Sequence, residues 1–184
     1  MKQISRATVI ISLLALVFLT ACGGGGSSDG VTGGGSSLLA ATFTPDQPSP
    51  AANSVSLQSG AASGNAVTVL VQVTDSVDLT GGTFDLFYDP ARFSFLGSSA
   101  GNLFESAGIT PIYGVNEPMS GHLVIGVGAA AAAPVTGSET LIQLTFRADA
   151  QGASPVTVDL ADLQDAAGGN IAGVAWSGGT LTGS

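Results

Sequence analysis

The sequence predicts an all-β fold, an antiparallel β-sandwich of about nine strands, and three observations carry that expectation. First, Val67, Val69, Val71 and Val73 alternate with Thr68, Leu70, Gln72 and Thr74, the period-two signature of a strand whose faces see different surroundings. Second, short alternating segments recur between turn residues along the chain, and no stretch shows a sustained helical period. Third, 45% of the 184 residues are hydrophobic and only 9% charged, with 27 glycines, a composition that buries a core and matches neither a disordered acidic tail nor a collagen repeat.

The N-terminus reads as an export signal. Lys2 and Arg6 precede an apolar run from Ala7 to Leu19. At 1.5 Å per residue that run reaches roughly 20 Å, short of a hydrocarbon core about 30 Å thick. Leu19-Thr20-Ala21-Cys22 resembles the lipobox of bacterial lipoproteins. The resemblance implies that residues 1–21 are removed as a signal peptide and that Cys22 carries diacylglyceryl on its thiol and a fatty acyl group on its amine. Several chains are needed because each buried methylene contributes roughly 0.8 kcal/mol and one chain alone binds reversibly. Gly23 stands where an inner-membrane retention aspartate would be, so for a Gram-negative host the resemblance implies the outer membrane. A plain secretory signal cut near Ala21 is the alternative. Cys22 is the single cysteine, leaving no disulfide and no catalytic thiol for the folded part.

Residues 22–40 are then expected to form the lipidated cysteine and a tether. From Gly23 to Ser37 glycine and serine dominate, a composition that buries no core and spans on the order of 20 Å as a flexible coil. The folded domain is expected over residues 41–184. Its first part, around Pro45, Pro48 and Pro50, suits an edge, with Phe43 pairing there.

Within the domain, Ser54 to Gln58 and Val67 to Asp75 are expected strands. Ser76 to Gly82 then suits a turn followed by a bulge, with Gly81-Gly82 supplying positive φ. Phe84, Leu86 and Tyr88 share one strand face until Asp89-Pro90, and Arg92 to Leu96 forms the next strand, closed by Gly97. Gly101 to Gly108 reads as a loop or single helical turn, and Ile109 to Val115 as an irregular strand closed by Asn116-Glu117-Pro118. His122 to Val127, apolar on both faces, is expected at the centre of a sheet. Ala129 to Ala133 is a loop or strand extension. Thr140 to Ala148 turns Ile142, Leu144, Phe146 and Ala148 inward; Val156 to Leu160 repeats the pattern, Asp165 to Asn170 turns, and Ile171 to Thr182 supplies a closing strand or hairpin around Trp176.

Composition excludes several function classes. The formal charge is −9, and beyond Cys22 only Arg92 and Arg147 are basic, so a phosphate-binding surface for nucleic acid is absent. His122 is the sole histidine, which denies the chain a two-histidine metal site and leaves any general base without an identified orienting partner. The glutamates Glu105, Glu117 and Glu139 fall in expected loops with nothing to pair them as glycosidase carboxylates. No catalytic residue is assigned. Asp159, Asp162 and Asp165, spaced by three, and Asp75 with Asp78, are weak candidates for calcium, against the commoner use of aspartate in turns. Phe87, Tyr113 and Trp176 are weak candidates for an aromatic platform on which a sugar stacks, with Trp176 the one most expected in the core.

Taken together, the strand Val67 to Asp75, the Leu79-Thr80-Gly81-Gly82 approach, Phe84-Asp85-Leu86-Phe87-Tyr88-Asp89-Pro90, Leu103-Phe104, Gly121-His122-Leu123 and Leu144-Thr145-Phe146 resemble a cohesin domain. That resemblance implies a jelly-roll sandwich, related to cellulose-binding modules, that binds the dockerin of a polysaccharide-degrading enzyme and is not itself an enzyme. The chain departs from the tandem arrangement often found in the family by showing no internal repeat. It also contains no Asp-x-Asp-x-Asp-Gly loop, so the resemblance implies a separate polypeptide as partner. Direct polysaccharide binding and a structural or adhesive envelope role are the alternatives. Outward Thr68, Gln72, Asp85 and Phe87 are the surface expected to face a partner, on a module exported and tied to the membrane only through its lipid.

Overall fold

The computed structural model describes residues 39–130 and 133–184. The segments expected as a signal peptide and a glycine tether, with Cys22, lie outside the described residues, as do Ala131 and Ala132. Ten strands and one helical turn follow in order: β1 (Ala41–Pro45), β2 (Ser54–Ser63), β3 (Ala66–Phe87), β4 (Phe93–Ala100), α1 (Leu103–Ser106), β5 (Pro111–Met119), β6 (His122–Ala129), β7 (Val135–Ala148), β8 (Gly152–Asp165), β9 (Ala175–Ser177) and β10 (Gly179–Gly183).

β3 organises the sandwich because it changes partners along its 22 residues. Its first half, through Val73, lies between β2 and β7; its second half, from Gly81 to Phe87, lies between β6 and β8. One layer therefore runs β9-β2-β3-β7-β4 and the other β1-β10-β8-β3-β6-β5. All pairings are antiparallel except β2 with β9. The alternating valines of the first half are buried, as are Phe84 and Leu86 of the second. Ile142, Leu144, Phe146 and Ala148 of β7 complete the core between the layers, as their alternation predicts.

Several expectations change. The turn expected over Ser76 to Gly82 is absorbed into β3, because Ser76 and Leu79 are buried and hold the chain on the sheet. The positive φ sits on Asp75 (49°) and Asp78 (55°), whose short polar side chains tolerate that region, and not on the glycines. Gly81 and Gly82 serve close approach instead: a Cβ there would come within 2.7 Å of Val127 O and of Asp162 O. β4 continues through Gly97, where a register shift absorbs the irregularity. β5 runs on through Asn116-Glu117-Pro118 to Met119, since an edge strand needs no donor from proline on its open side. β6 is not central: only the edge strand β5 lies beyond it, and Val124 on its outer face is 39% exposed. The closing segment forms two short strands in different layers, β9 and β10, and no hairpin. Phe43 pairs with Leu181 at the edge, and Leu103 and Phe104 of α1 are buried.

Tyr88 locks the end of β3 to two neighbours. Its hydroxyl donates to Glu117 Oε1 at 2.5 Å and accepts from the Phe95 amide at 3.2 Å, while the same carboxylate oxygen accepts from Gly121 N. Gly121 has φ 84°, and a Cβ there would lie 2.6 Å from Tyr88 O, so only glycine lets the hairpin turn approach. Burial, and then the hydrogen bond to Glu117, push the Tyr88 hydroxyl up to about 12 from its ordinary 10.0. The unfolded chain ionises first, so this contribution is complete below pH 10.0 and is lost as pH climbs toward about 12. Urea unfolding should show a midpoint that falls over that interval in the wild type and falls less in Tyr88→Phe; equal slopes would remove Tyr88 as the cause.

Candidate functional site

The outer face of the β8-β3-β6-β5 sheet is built by strand register. On β3, Thr83, Asp85 and Phe87 point away from the core between buried Phe84 and Leu86. Phe87 stands opposite His122 on β6 and Thr157 on β8; Asp85 stands opposite Val124 and Asp159. Asn116, Gly114 and Ile112 extend the face onto β5. The result is a four-strand surface with an aromatic and acidic centre and apolar residues toward its margins.

At that centre His122 Nε2 lies 2.8 Å from Asp85 Oδ2, with side chains 18% and 13% exposed. The imidazole stacks on Phe87, with centroids 4.4 Å apart and planes 17° from parallel. The pair supplies the orienting carboxylate that sequence reasoning could not find, because Asp85 and His122 meet only through cross-strand register. Among the described residues the pair has no hydroxyl hydrogen-bonded to the imidazole. It fixes the orientation of Phe87 and His122 on the open surface.

Around this centre Val124, Ile112, Met119 and Leu160 are exposed. Leu160 is 73% exposed and has φ 46°, a region costly for leucine; its amide is held by Asp159 Oδ1 at the bulge in β8. Arg92 and Arg147 stand away from the face, committed to Asp89 at 3.1 Å and Asp149 at 2.7 Å. Arg147, and then Ser94, hold the Asp149 carboxyl below its ordinary value. The face thus sets carboxylates of β3 and β8 beside exposed apolar side chains that reach the edge strand β5.

The other candidates separate. Asp159 caps the Leu160 amide, Asp162 accepts from Asn170, and Asp165 receives the amides of Ala167 and Gly169, as turn-forming aspartates do. Asp75 bonds Ser138, and the Asp78 amide bonds Thr136, at the β3 irregularity. Among the described residues no group of three His, Cys, Asp or Glu side chains is placed to hold a metal ion. Phe87, Tyr113 and Trp176 do not line up: Phe87 is on the outer face, Tyr113 pairs with Val127 on the opposite side of β5, and Trp176 is on β9 against Phe84. Glu105, Glu117 and Glu139 lie in α1, β5 and β7, not in loops. Thr68 and Gln72 face outward from the first layer, so the four residues expected on one partner surface are divided between two.

The chain matches the family model of the Cohesin domain over residues 52–181. Among solved structures it is similar to a non-cellulosomal cohesin from the hyperthermophilic archaeon Archaeoglobus fulgidus, at 15% identity and TM-score 0.55, covering 69% of this chain and 88% of that one. It is similar also to a type II cohesin domain from the cellulosome of Acetivibrio cellulolyticus, at 16% identity and TM-score 0.59, covering 72% and 95%. CaCohA2 from Clostridium acetobutylicum, solved alone and also in a CaDoc0917–CaCohA2 complex, shares 24% identity at TM-score 0.55, covering 70% and 90%. No curated protein matches the chain.

Proposed function

The chain belongs to the cohesin family and is a non-catalytic, protein-binding jelly-roll module, and from that premise we propose that it receives the dockerin of a polysaccharide-degrading enzyme on the outer face of the β8-β3-β6-β5 sheet. The observation that carries this reading is the exposed apolar set, Phe87, Val124, Ile112, Met119 and Leu160, arranged about the Asp85–His122 pair on a sheet that, among the described residues, no other element covers. The partner surface that fits it offers positive charge toward its centre and apolar contact toward its margins, because Asp85, Asp159 and Asp162 on β3 and β8 supply only negative charge. A panel of immobilised dockerin modules, probed with the full chain in lipid nanodiscs, tests the assignment. Capture by a subset, weakening with added salt, is the expected result; a chain that binds none of them overturns it.

The same reading places the module on the cell envelope. Lipid on Cys22 and the glycine tether that follows would hold the domain near the membrane while leaving its binding face free to turn. Metabolic labelling with an alkynyl fatty acid should mark the wild-type chain and leave Cys22→Ser unlabelled. An unlabelled wild type would assign Leu19 to Cys22 to an ordinary signal sequence.

A further inference from the structure

A second recess lies away from the partner face, beside the edge strand β9. Trp176 and Ala175 of β9 and Ser54 of β2 form one side; Gln47, Pro50 and Ala51, from the β1–β2 connection, form the other. The cleft has a volume of about 340 Å³, at the small end of ligand sites. Its floor is firm: Trp176 packs on the buried Phe84, with ring centroids 5.4 Å apart. Its wall is held as well, since Gln58 Nε2 donates to Gln47 O at 2.7 Å and Asp46 N donates to Gly178 O at 3.1 Å. A site fixed before binding loses less ordering entropy when it fills.

From this arrangement the geometry points to a binding site for one ring of a neutral pyranoside in the Trp176 cleft. The Trp176 indole with proline and alanine gives an apolar surface for the C–H face of a sugar. Among the described residues the Trp176 indole N–H, the Gln47 amide and the Ser177 hydroxyl make no side-chain hydrogen bond, so donors and acceptors stand ready for ring hydroxyls. A wholly apolar ligand would strip water from these groups and leave them unpaired. An anionic sugar is disfavoured too, because among the described residues no cation lines the cleft and the chain carries a formal charge of −9. The site is independent of the dockerin-binding reading.

Trp176 is the chain's only tryptophan, and its emission therefore reports directly on the cleft. The full chain in lipid nanodiscs is titrated with cellohexaose, xylohexaose, mannohexaose, an oligogalacturonate and a proline-rich peptide. The expected result is a saturable change with at least one neutral sugar, at a dissociation constant of about 1 mM, and none with the oligogalacturonate. Ala175→Phe fills the cleft from an exposed position and should weaken that sugar about tenfold or more while leaving the unfolding midpoint and dockerin capture in place. Silence toward every neutral sugar overturns the site. So does an equal response to the oligogalacturonate, a response to the peptide alone, or an undiminished response in Ala175→Phe. Loss of dockerin capture with sugar binding intact would strike only the reading of the other face.

Discussion

Phe146→Ala is expected to destabilise the domain by about 3–5 kcal/mol, a large share of the 5–15 kcal/mol that typically separates a folded domain from its unfolded chain. Phe146 is fully buried on β7, paired with Val67 of β3 on one side and Phe95 of β4 on the other. Its ring centroid lies 5.2 Å from that of Tyr88 in a T-shaped contact and 5.8 Å from that of the tilted Phe95 ring. Truncation removes these contacts and opens a cavity between neighbours that are themselves tied down, Tyr88 by the Glu117 carboxylate and Phe95 by its amide bond to the Tyr88 hydroxyl. Collapse cannot relieve the space cheaply. The outward neighbour Thr145 provides the comparison: Thr145→Ala should stay within about 0.5 kcal/mol. Urea unfolding followed by circular dichroism checks both, and equal costs for the two would mean that β7 does not carry the core as described.

Phe87→Ala is expected to lower affinity for a captured dockerin by about thirtyfold or more, while shifting the unfolding midpoint little. Phe87 lies at the centre of the face, stacked on an imidazole that Asp85 holds in place, so its ring reaches the interface with few rotamers left to lose. Truncation removes an ordered aromatic anchor and also frees His122. Gln72→Ala on the opposite layer should leave affinity unchanged. Surface plasmon resonance on the two variants decides the matter: a Phe87→Ala protein that binds within twofold of wild type, or a Gln72→Ala protein that loses binding, would move the partner to the other layer.

Much of this was legible in residue order because strand alternation is local. The valines of β3 and the Ile142, Leu144, Phe146 and Ala148 row of β7 announce their buried side without any knowledge of partners. What stayed hidden depends on which strands meet. His122 gains its carboxylate from Asp85 across a register that no local pattern encodes. The outward row of β3 looks like one surface in sequence, yet Gln72 and Phe87 emerge on opposite sides of the sandwich because the strand passes from one layer into the other. The Trp176 cleft depends on a pairing between β9 and β2, strands separated by most of the domain. Aspartates gave the reverse lesson: their even spacing around Asp159, Asp162 and Asp165 suggests shared ligation, but each is consumed by its own amide or side-chain donor.

The passage of β3 through both layers also bears on how the domain comes apart. Neither sheet can separate without pulling on backbone that the other sheet holds, so local opening of one layer alone is disfavoured and the two share a common unfolding event. Central amides of β7 and β8, though they belong to different layers, should then exchange with solvent at nearly the same free energy. The edge strands β5 and β9, held on one side only, remain free to fray without the rest.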